Sequence, residues 1–250
     1  MSPQDFLPIP ELEVCKRLLC IQPHPDDNEV GAGATIAKLA SLGCEITYLT
    51  VTDGSKGTYD PNQTGEELAN IRLQEATEAA ALLGVTHHRF LGFEDGGYAS
   101  EKELCNRIIS VIREVKPEII MTVDPFLLYE GHPDHRRVGM AAAEACLFSN
   151  MVSYRTGRVG QDEPWSVSGI AFHTTAHPNT IINVDATWEL KNKAILTHKS
   201  QFEPESFQFL QRYFDYKAQE YAKGKGFERG EAFKVLTPTH LHMSVDTMYV

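Results

Sequence analysis

Two short stretches concentrate the side chains that do chemistry. Residues 22–33 read QPHPDDNEVGAG, and residues 129–137 read YEGHPDHRR. Together they offer His24, Asp26, Asp27, Glu29, His132, Asp134 and His135. Imidazole nitrogen and carboxylate oxygen suit a borderline divalent ion such as zinc. A catalytic zinc takes three protein ligands and keeps one position open. The surplus over three fits hydrolysis, which also needs a base for the attacking water and a donor for the oxyanion. A proline in each stretch stiffens the loop. A third His-Pro, AHPNT around His177, lacks the aspartate and reads as a turn between two strands.

Two other readings compete. HPDDNEV precedes a helical pattern, so Asp26 or Asp27 can be a plain N-cap. GAGATI, starting at Gly31, followed by Asp53 about twenty residues on, hints at a dinucleotide fold. The third glycine of that fingerprint is missing, and Gly31 sits seven residues past His24 rather than in the strand-to-helix turn. These glycines read better as a helix face packed closely on the sheet.

The elements that must position these groups alternate. RLLCIQ (17–22) is a short buried strand ended by Pro23, and NEVGAGATIAKLASLG is a helix closed by Gly43. CEITYLTVT (44–52) is a strand, which completes a βαβ unit. Helix and strand patterns then follow at 66–84, 87–93, 100–117, 118–123 and 134–150, with Ser100 and Glu103 spaced as a capping box. Further on, SGIAFHTT and TIINVD read as strands, and ATWELKNKAILTHKSQF and PESFQFLQRYFDYKAQEYAKG as helices. The fold class is α/β: a Rossmann-like, mostly parallel sheet with helices on both faces. One domain spans 1–250, with a Pro-rich lead-in over 1–16 and the core at 17–150. Loops leaving parallel strands share one edge, so His24 and His132 can converge.

Composition narrows the partners. Lys plus Arg is 23 against 34 Asp plus Glu, a formal charge of −11, which disfavours phosphate backbones and anionic membranes. The five cysteines are scattered with no C-x-x-C pair, which reads as reduced thiols, with Cys20 and Cys44 in the core. No leader pattern and no long apolar run is visible, so a soluble, cytoplasmic protein is expected.

With these residues in view, the chain resembles the zinc-dependent N-deacetylases of the LmbE/PIG-L type. PHPDD after the first strand and HPDH later carry the resemblance, and TDGSKGTYDP, IRLQEATEAAALLGV, LGFEDGGY and HKSQF follow in family order. Within the family it looks nearest the diacetylchitobiose deacetylase branch. The resemblance implies zinc held by His24, Asp27 and His135. It implies Asp26 as general base, and His132 as a protonated oxyanion donor kept cationic by Asp134. Asn28 stands where the family often has Glu.

The resemblance also offers Arg72 and Asp95 as sugar contacts, against a surface ion pair with Glu75 and Glu78 and a plain turn aspartate. Tyr129 is a candidate pocket residue, and His242 a candidate for closing the pocket across a subunit contact. His198 reads as structural support, and His87-His88 as ordinary strand residues. The implied substrate is a small amino sugar bearing an N-acetylglucosamine unit, and the implied assembly a homo-oligomer, trimeric or hexameric. The alternatives are deacetylation of a thiol-glycoside precursor and a non-catalytic metal- or sugar-binding module.

Overall fold

The computed structural model describes residues 3–97, 100–156 and 163–250. Strands β1 (Arg17–Gln22), β2 (Glu45–Thr52), β3 (His87–Phe93), β4 (Ile119–Val123), β5 (Gly169–His173), β6 (Thr180–Asn183) and β7 (Gly230–Leu236) form one sheet in the order β3-β2-β1-β4-β5-β7-β6. The first five are parallel. β7 runs antiparallel to β5 and to β6, so the sheet is mixed at that end. GEAFKVL, the β7 segment, carries Glu231 and Lys234 inside its apolar pattern, which hides it as a strand in the sequence.

β1 shows why the sheet sits in the middle. Leu18, Leu19, Cys20 and Ile21 are each fully buried. Leu18 and Cys20 face a core shared with α1 (Asp27–Ser41), α2 (Gly65–Leu82), α5 (Trp188–Ile195) and α6 (Pro204–Ala222). Leu19 and Ile21 face a second core shared with α3 (Glu101–Val115) and α4 (Pro133–Phe148). The alternation follows the strand's two-residue period, and each such side chain contributes about 1.5–3 kcal/mol on burial.

Local signals set the helix ends. Thr64 and Glu67 form a reciprocal capping box at the start of α2. The box expected at Ser100 forms by half: Glu103 N–H donates to Ser100 Oγ at 3.1 Å, while the exposed Glu103 carboxylate stays in water. The helix expected through HKSQF stops at Ile195, because Ser200 turns away to bind Glu75 on α2. A short helix, α7 (Pro238–His242), follows β7. No helix among the described residues is long and apolar enough to cross a membrane.

Candidate metal and catalytic site

β1 and β4 are paired neighbours, so the loops leaving them meet at one sheet edge. The His24 and His132 rings lie with centroids 4.5 Å apart, His24 and His135 at 5.4 Å, and His132 and His135 at 5.0 Å. The two His-Pro-Asp stretches therefore build one site. Asp95 joins from the end of β3, with its Oδ1 3.4 Å from His24 Nε2. His177, the third His-Pro, lies between β5 and β6.

Asp27 bridges two of the imidazoles. Its Oδ2 lies 3.3 Å from His24 Nδ1, and its Oδ1 lies 3.3 Å from His135 Nε2. These separations are long for charge-assisted hydrogen bonds, at about 2.7–2.9 Å. They match two ligands about 3.3 Å apart on a tetrahedral ion with bonds of about 2.0 Å. Nitrogens of His24, His132 and His135 also fall within 4.8 Å of one another, as do donor atoms of His24, Asp95, His132 and Asp134. The donor set fits a divalent cation.

The electrostatics agree. Burial opposes a charged His24, but bonds to Asp134, Asp27 and Asp95 overcome it and lift the imidazole to about 12. Burial raises Asp27, yet His135 and His24 pull it well below the carboxylate range. Burial lowers His135, and Asp27 reverses that to a net rise. Several carboxylates press on few imidazoles, so the cluster is short of positive charge, which a cation supplies.

Asp26 stands apart from its neighbours. It occupies the N-cap position of α1, but its side chain makes no capping bond. Its backbone is at φ 141° and ψ −20°, a strained conformation for a residue with a side chain. Arg72 Nη2 donates to Asp26 Oδ2 at 3.1 Å and to Pro25 O at 3.0 Å, while Nη1 donates to Gly54 O at 3.1 Å. Gly54, at φ 66°, allows this approach: a Cβ there would sit 2.7 Å from the guanidinium. Burial and the Asp27 charge raise Asp26 to about 6, against the pull of Arg72, His198 and His24. The capping reading of Asp26 is thus replaced by an aimed carboxylate.

Arg72 is 3% exposed, so the surface ion pair weighed for it does not form. Nor is Asp95 a plain turn residue: it is buried, accepts from Lys56 N at 3.1 Å, and is held to about 2 chiefly by its bond to His24. Asp134 is fully buried, and its Oδ2 meets His24 Nε2 at 3.3 Å and accepts from Gly96 N at 2.8 Å. His132 caps α4, its Nδ1 accepting from Asp134 N–H at 3.3 Å. The expected cationic His132 is corrected here. Burial, with His24 and His135, lowers its pKa and outweighs Asp134 and Asp95. Tyr129, on the same loop, is 92% exposed, and His242 lies exposed at the end of α7.

Three site residues escape the sequence reading. Glu130 Oε2 lies 3.1 Å from His135 Nδ1, and its Oε1 accepts from His132 N at 2.7 Å, so it orients one imidazole and the loop of the other. Its place two residues before HPDH was the available signal. Glu75, one turn after Arg72, accepts from Ser200 N at 2.9 Å and Ser200 Oγ at 2.6 Å. His173, fully buried at the end of β5, packs on Gly31, where a Cβ would sit 2.0 Å from its Nδ1. That contact explains the first glycine of GAGATI without a nucleotide. Gly33, expected to face the sheet as well, packs instead against Lys191 on α5. His198 is fully buried with Nε2 3.4 Å from Glu29 Oε2, behind Asp26.

Comparison with known proteins gives the site a family. Residues 19–146, just over half the chain, match the PIG-L family, GlcNAc-PI de-N-acetylase. The chain is 37% identical to the diacetylchitobiose deacetylase of Thermococcus kodakarensis, over 91% of this chain and 86% of that one. A solved N,N'-diacetylchitobiose deacetylase from Pyrococcus horikoshii, bound to its inhibitor MPG, superposes with a TM-score of 0.90 at 35% identity, covering 96% of this chain and 90% of that one. The 1D-myo-inositol 2-acetamido-2-deoxy-alpha-D-glucopyranoside deacetylase of Thermomonospora curvata is 32% identical over 67% of this chain, which spans 62% of that protein. A family match across the His-Pro-Asp stretches, and near-complete overlap with deacetylases, make the chain a member of the PIG-L family and an N-deacetylating hydrolase.

Proposed function

We propose that the protein removes the acetyl group from an N-acetylglucosamine unit of a small saccharide of the diacetylchitobiose type, releasing acetate and a free amine. The observation that carries this reading is the juxtaposition of Asp26, poised at about 6, with the cation-deficient cluster beside it. Zinc is the ion, held by His24, Asp27 and His135, whose nitrogen and oxygen donors suit it. When bound, it supplies Lewis acidity to the acetamide carbonyl and acidifies the attacking water.

The chain's own groups supply the proton chemistry. Asp26 accepts the proton of the attacking water and returns it to the leaving nitrogen, with Arg72 holding its carboxylate in place. Because His132 Nδ1 accepts from the Asp134 backbone, the ring proton belongs on Nε2. A neutral His132 therefore still presents an N–H donor to the developing oxyanion. Asp134 serves His24 and the Asp95–Gly96 turn. Asp95 contacts the sugar beside His24, and the exposed Tyr129 and His242 meet it from the solvent side. Arg72, committed below Asp26, acts on the sugar through that carboxylate.

Five buried free cysteines support a cytoplasmic setting. The test is free-amine release from a panel of N-acetylglucosamine derivatives. Turnover of the disaccharide, abolished by chelator and restored by zinc, is expected. No release, or release indifferent to chelator, overturns the reading.

A further inference from the structure

Gln22, the last residue of β1, is fully buried, a costly place for an amide whose polar atoms go unpaired. Both ends of this amide are engaged. Oε1 accepts from Asn28 N–H at 3.0 Å, and Nε2 donates to Thr50 Oγ1 at 2.7 Å. Asn28 is the second residue of α1, so its bond to Gln22 satisfies one of the helix's free N-terminal N–H groups. That is the task of an N-cap side chain, and it ordinarily falls to the cap residue itself. Here the cap residue is Asp26, and its carboxylate is turned to Arg72 instead.

The two facts are connected. Aspartate is among the strongest capping residues, and it caps from extended backbone, with its carboxylate on the N–H of the second or third helical residue. Asp26 holds φ 141°, far from that backbone. With Asn28 N–H already satisfied by Gln22, nothing draws Asp26 back to the capping conformation. Without Gln22, relaxing the strained backbone and filling the orphaned N–H would both pull the carboxylate off Arg72 and onto the helix.

The amide serves only one way round. Reversed, its NH2 would face Asn28 N–H, donor against donor. Thr50, which pairs with Gln22 across β1 and β2, fixes the direction. The Thr50 hydroxyl accepts from Gln22 and has its own proton to give, and His88 Nε2 on β3 lies 2.8 Å away. Burial pushes the His88 imidazole down to about 4, so near neutral pH the ring is uncharged and has an acceptor nitrogen to offer. Tyr48 and Phe90 hold that ring, with centroids at 5.4 and 4.0 Å. A line of hydrogen bonds thus crosses three strands, from His88 through Thr50 to Gln22, and ends on the residue after Asp27.

We infer that Gln22 is a positioning residue: it caps α1 in place of Asp26 and so leaves that carboxylate free for the attacking water, while Thr50 and His88 set the direction of its amide. The inference rests on the reading of Asp26 as the base for its effect on turnover.

The test pairs kinetics with structure. In zinc-loaded enzyme, Gln22→Leu should lower kcat for the N-acetylglucosamine disaccharide by about 10², with KM and zinc content unchanged. Its crystal structure should show the Asp26 carboxylate turned from Arg72 to Asn28 N–H. Gln22→Glu keeps an oxygen for Asn28 and, as the buried acid, a proton for Thr50, so it should recover most of the loss. Thr50→Val, which keeps the shape of the side chain, should lower kcat by a smaller factor that Thr50→Ser restores. A Gln22→Leu enzyme with wild-type kcat and Asp26 still on Arg72 overturns the inference, and so does a fall in kcat with Asp26 unmoved. If Asp26 turns and kcat holds, the capping relation stands and the base reading of Asp26 fails. Should Gln22→Leu not fold, Thr50→Val decides, and an unchanged kcat there overturns the inference.

Discussion

Arg72 Nη2 sits 3.1 Å from Asp26 Oδ2, and the pair is buried directly behind the cluster of His24, Asp27 and His135. One guanidinium thus anchors the strained loop, through Pro25 O and Gly54 O, and sets the charge state of its carboxylate. Burial and Asp27 push Asp26 up, while Arg72 restrains the rise, and about 6 is the outcome. A base acts when deprotonated, so kcat/KM should climb with pH through about 6. Removing the Arg72 charge leaves the upward push unopposed. Arg72→Gln should therefore move that acid limb to higher pH and lower kcat. An acid limb that stays in place in the variant would show that some other group is being titrated.

Asp26→Asn tests the base directly. The amide keeps the shape and loses the ability to take a proton, so kcat should fall by about 10²–10⁴. Asp26 is not one of the proposed ligands, and its Oδ2 is held by Arg72 Nη2 at 3.1 Å. Metal content by elemental analysis should then match wild type. An Asn variant with wild-type turnover would remove Asp26 from the mechanism.

Metal affinity should depend on His135 and, one step back, on Glu130. His135→Ala deletes a proposed ligand and should abolish tight binding. Glu130→Gln leaves the ligand in place but weakens the acceptor for His135 Nδ1, at 3.1 Å. Losing such an outer partner costs about 10–100-fold in affinity. Competition with a chelating dye measures both. Unchanged zinc affinity in His135→Ala would exclude that residue as a ligand.

The sequence made the strand ends legible because strands and helices alternate cleanly from β1 to α4, and the two His-Pro-Asp stretches fall at neighbouring strands. It left the far end of the sheet obscure. β7 carries Glu231 and Lys234, whose charges break the apolar pattern but find partners inside the fold, Glu231 in Lys191 and two backbone amides, and Lys234 in the Met248 and Val250 main-chain oxygens. It also left the orientation of carboxylates undecided. Nothing in HPDH tells that Asp134 turns to His24 and Gly96, since both contacts span dozens of residues. His132 was expected to be cationic from Asp134 alone; the burial that reverses this, and the two further imidazoles that add to it, arrive only by folding.

Glu75 should behave as a positioning residue. It ties Ser200 to α2 one turn from Arg72, and Gln201 Nε2 donates to Gly57 O at 3.0 Å, so the HKSQ turn braces the loop around the guanidinium. Glu75→Ala frees that turn and should lower kcat by about tenfold through displacement of Arg72 and Asp26. Glu75→Gln keeps an acceptor for Ser200 and should recover most of the loss. If Ala and Gln lower kcat alike, the charge of Glu75 matters rather than its bonds. If neither does, the brace is irrelevant to turnover.

The Lys191–Glu231 pair gives a stability prediction independent of the chemistry. Both side chains are 4% exposed and their charged atoms lie 2.6 Å apart. Glu231 also accepts from Ala34 N at 3.3 Å and Thr35 N at 2.7 Å, so it fastens β7 to the middle of α1. Lys191→Met leaves that carboxylate buried with backbone partners alone. Stranding one charge of a buried pair costs about 3–5 kcal/mol. For a chain near this size each kcal/mol lowers Tm by about 2–4 °C, so a fall of roughly 10 °C is expected. Adding Glu231→Gln removes the stranded charge while its amide oxygen still accepts from α1, so the double variant should be more stable than Lys191→Met alone. Calorimetry at neutral pH reads the order. A double variant less stable than Lys191→Met would mean that the Glu231 charge itself, held by the α1 amides, outweighs the loss of its lysine.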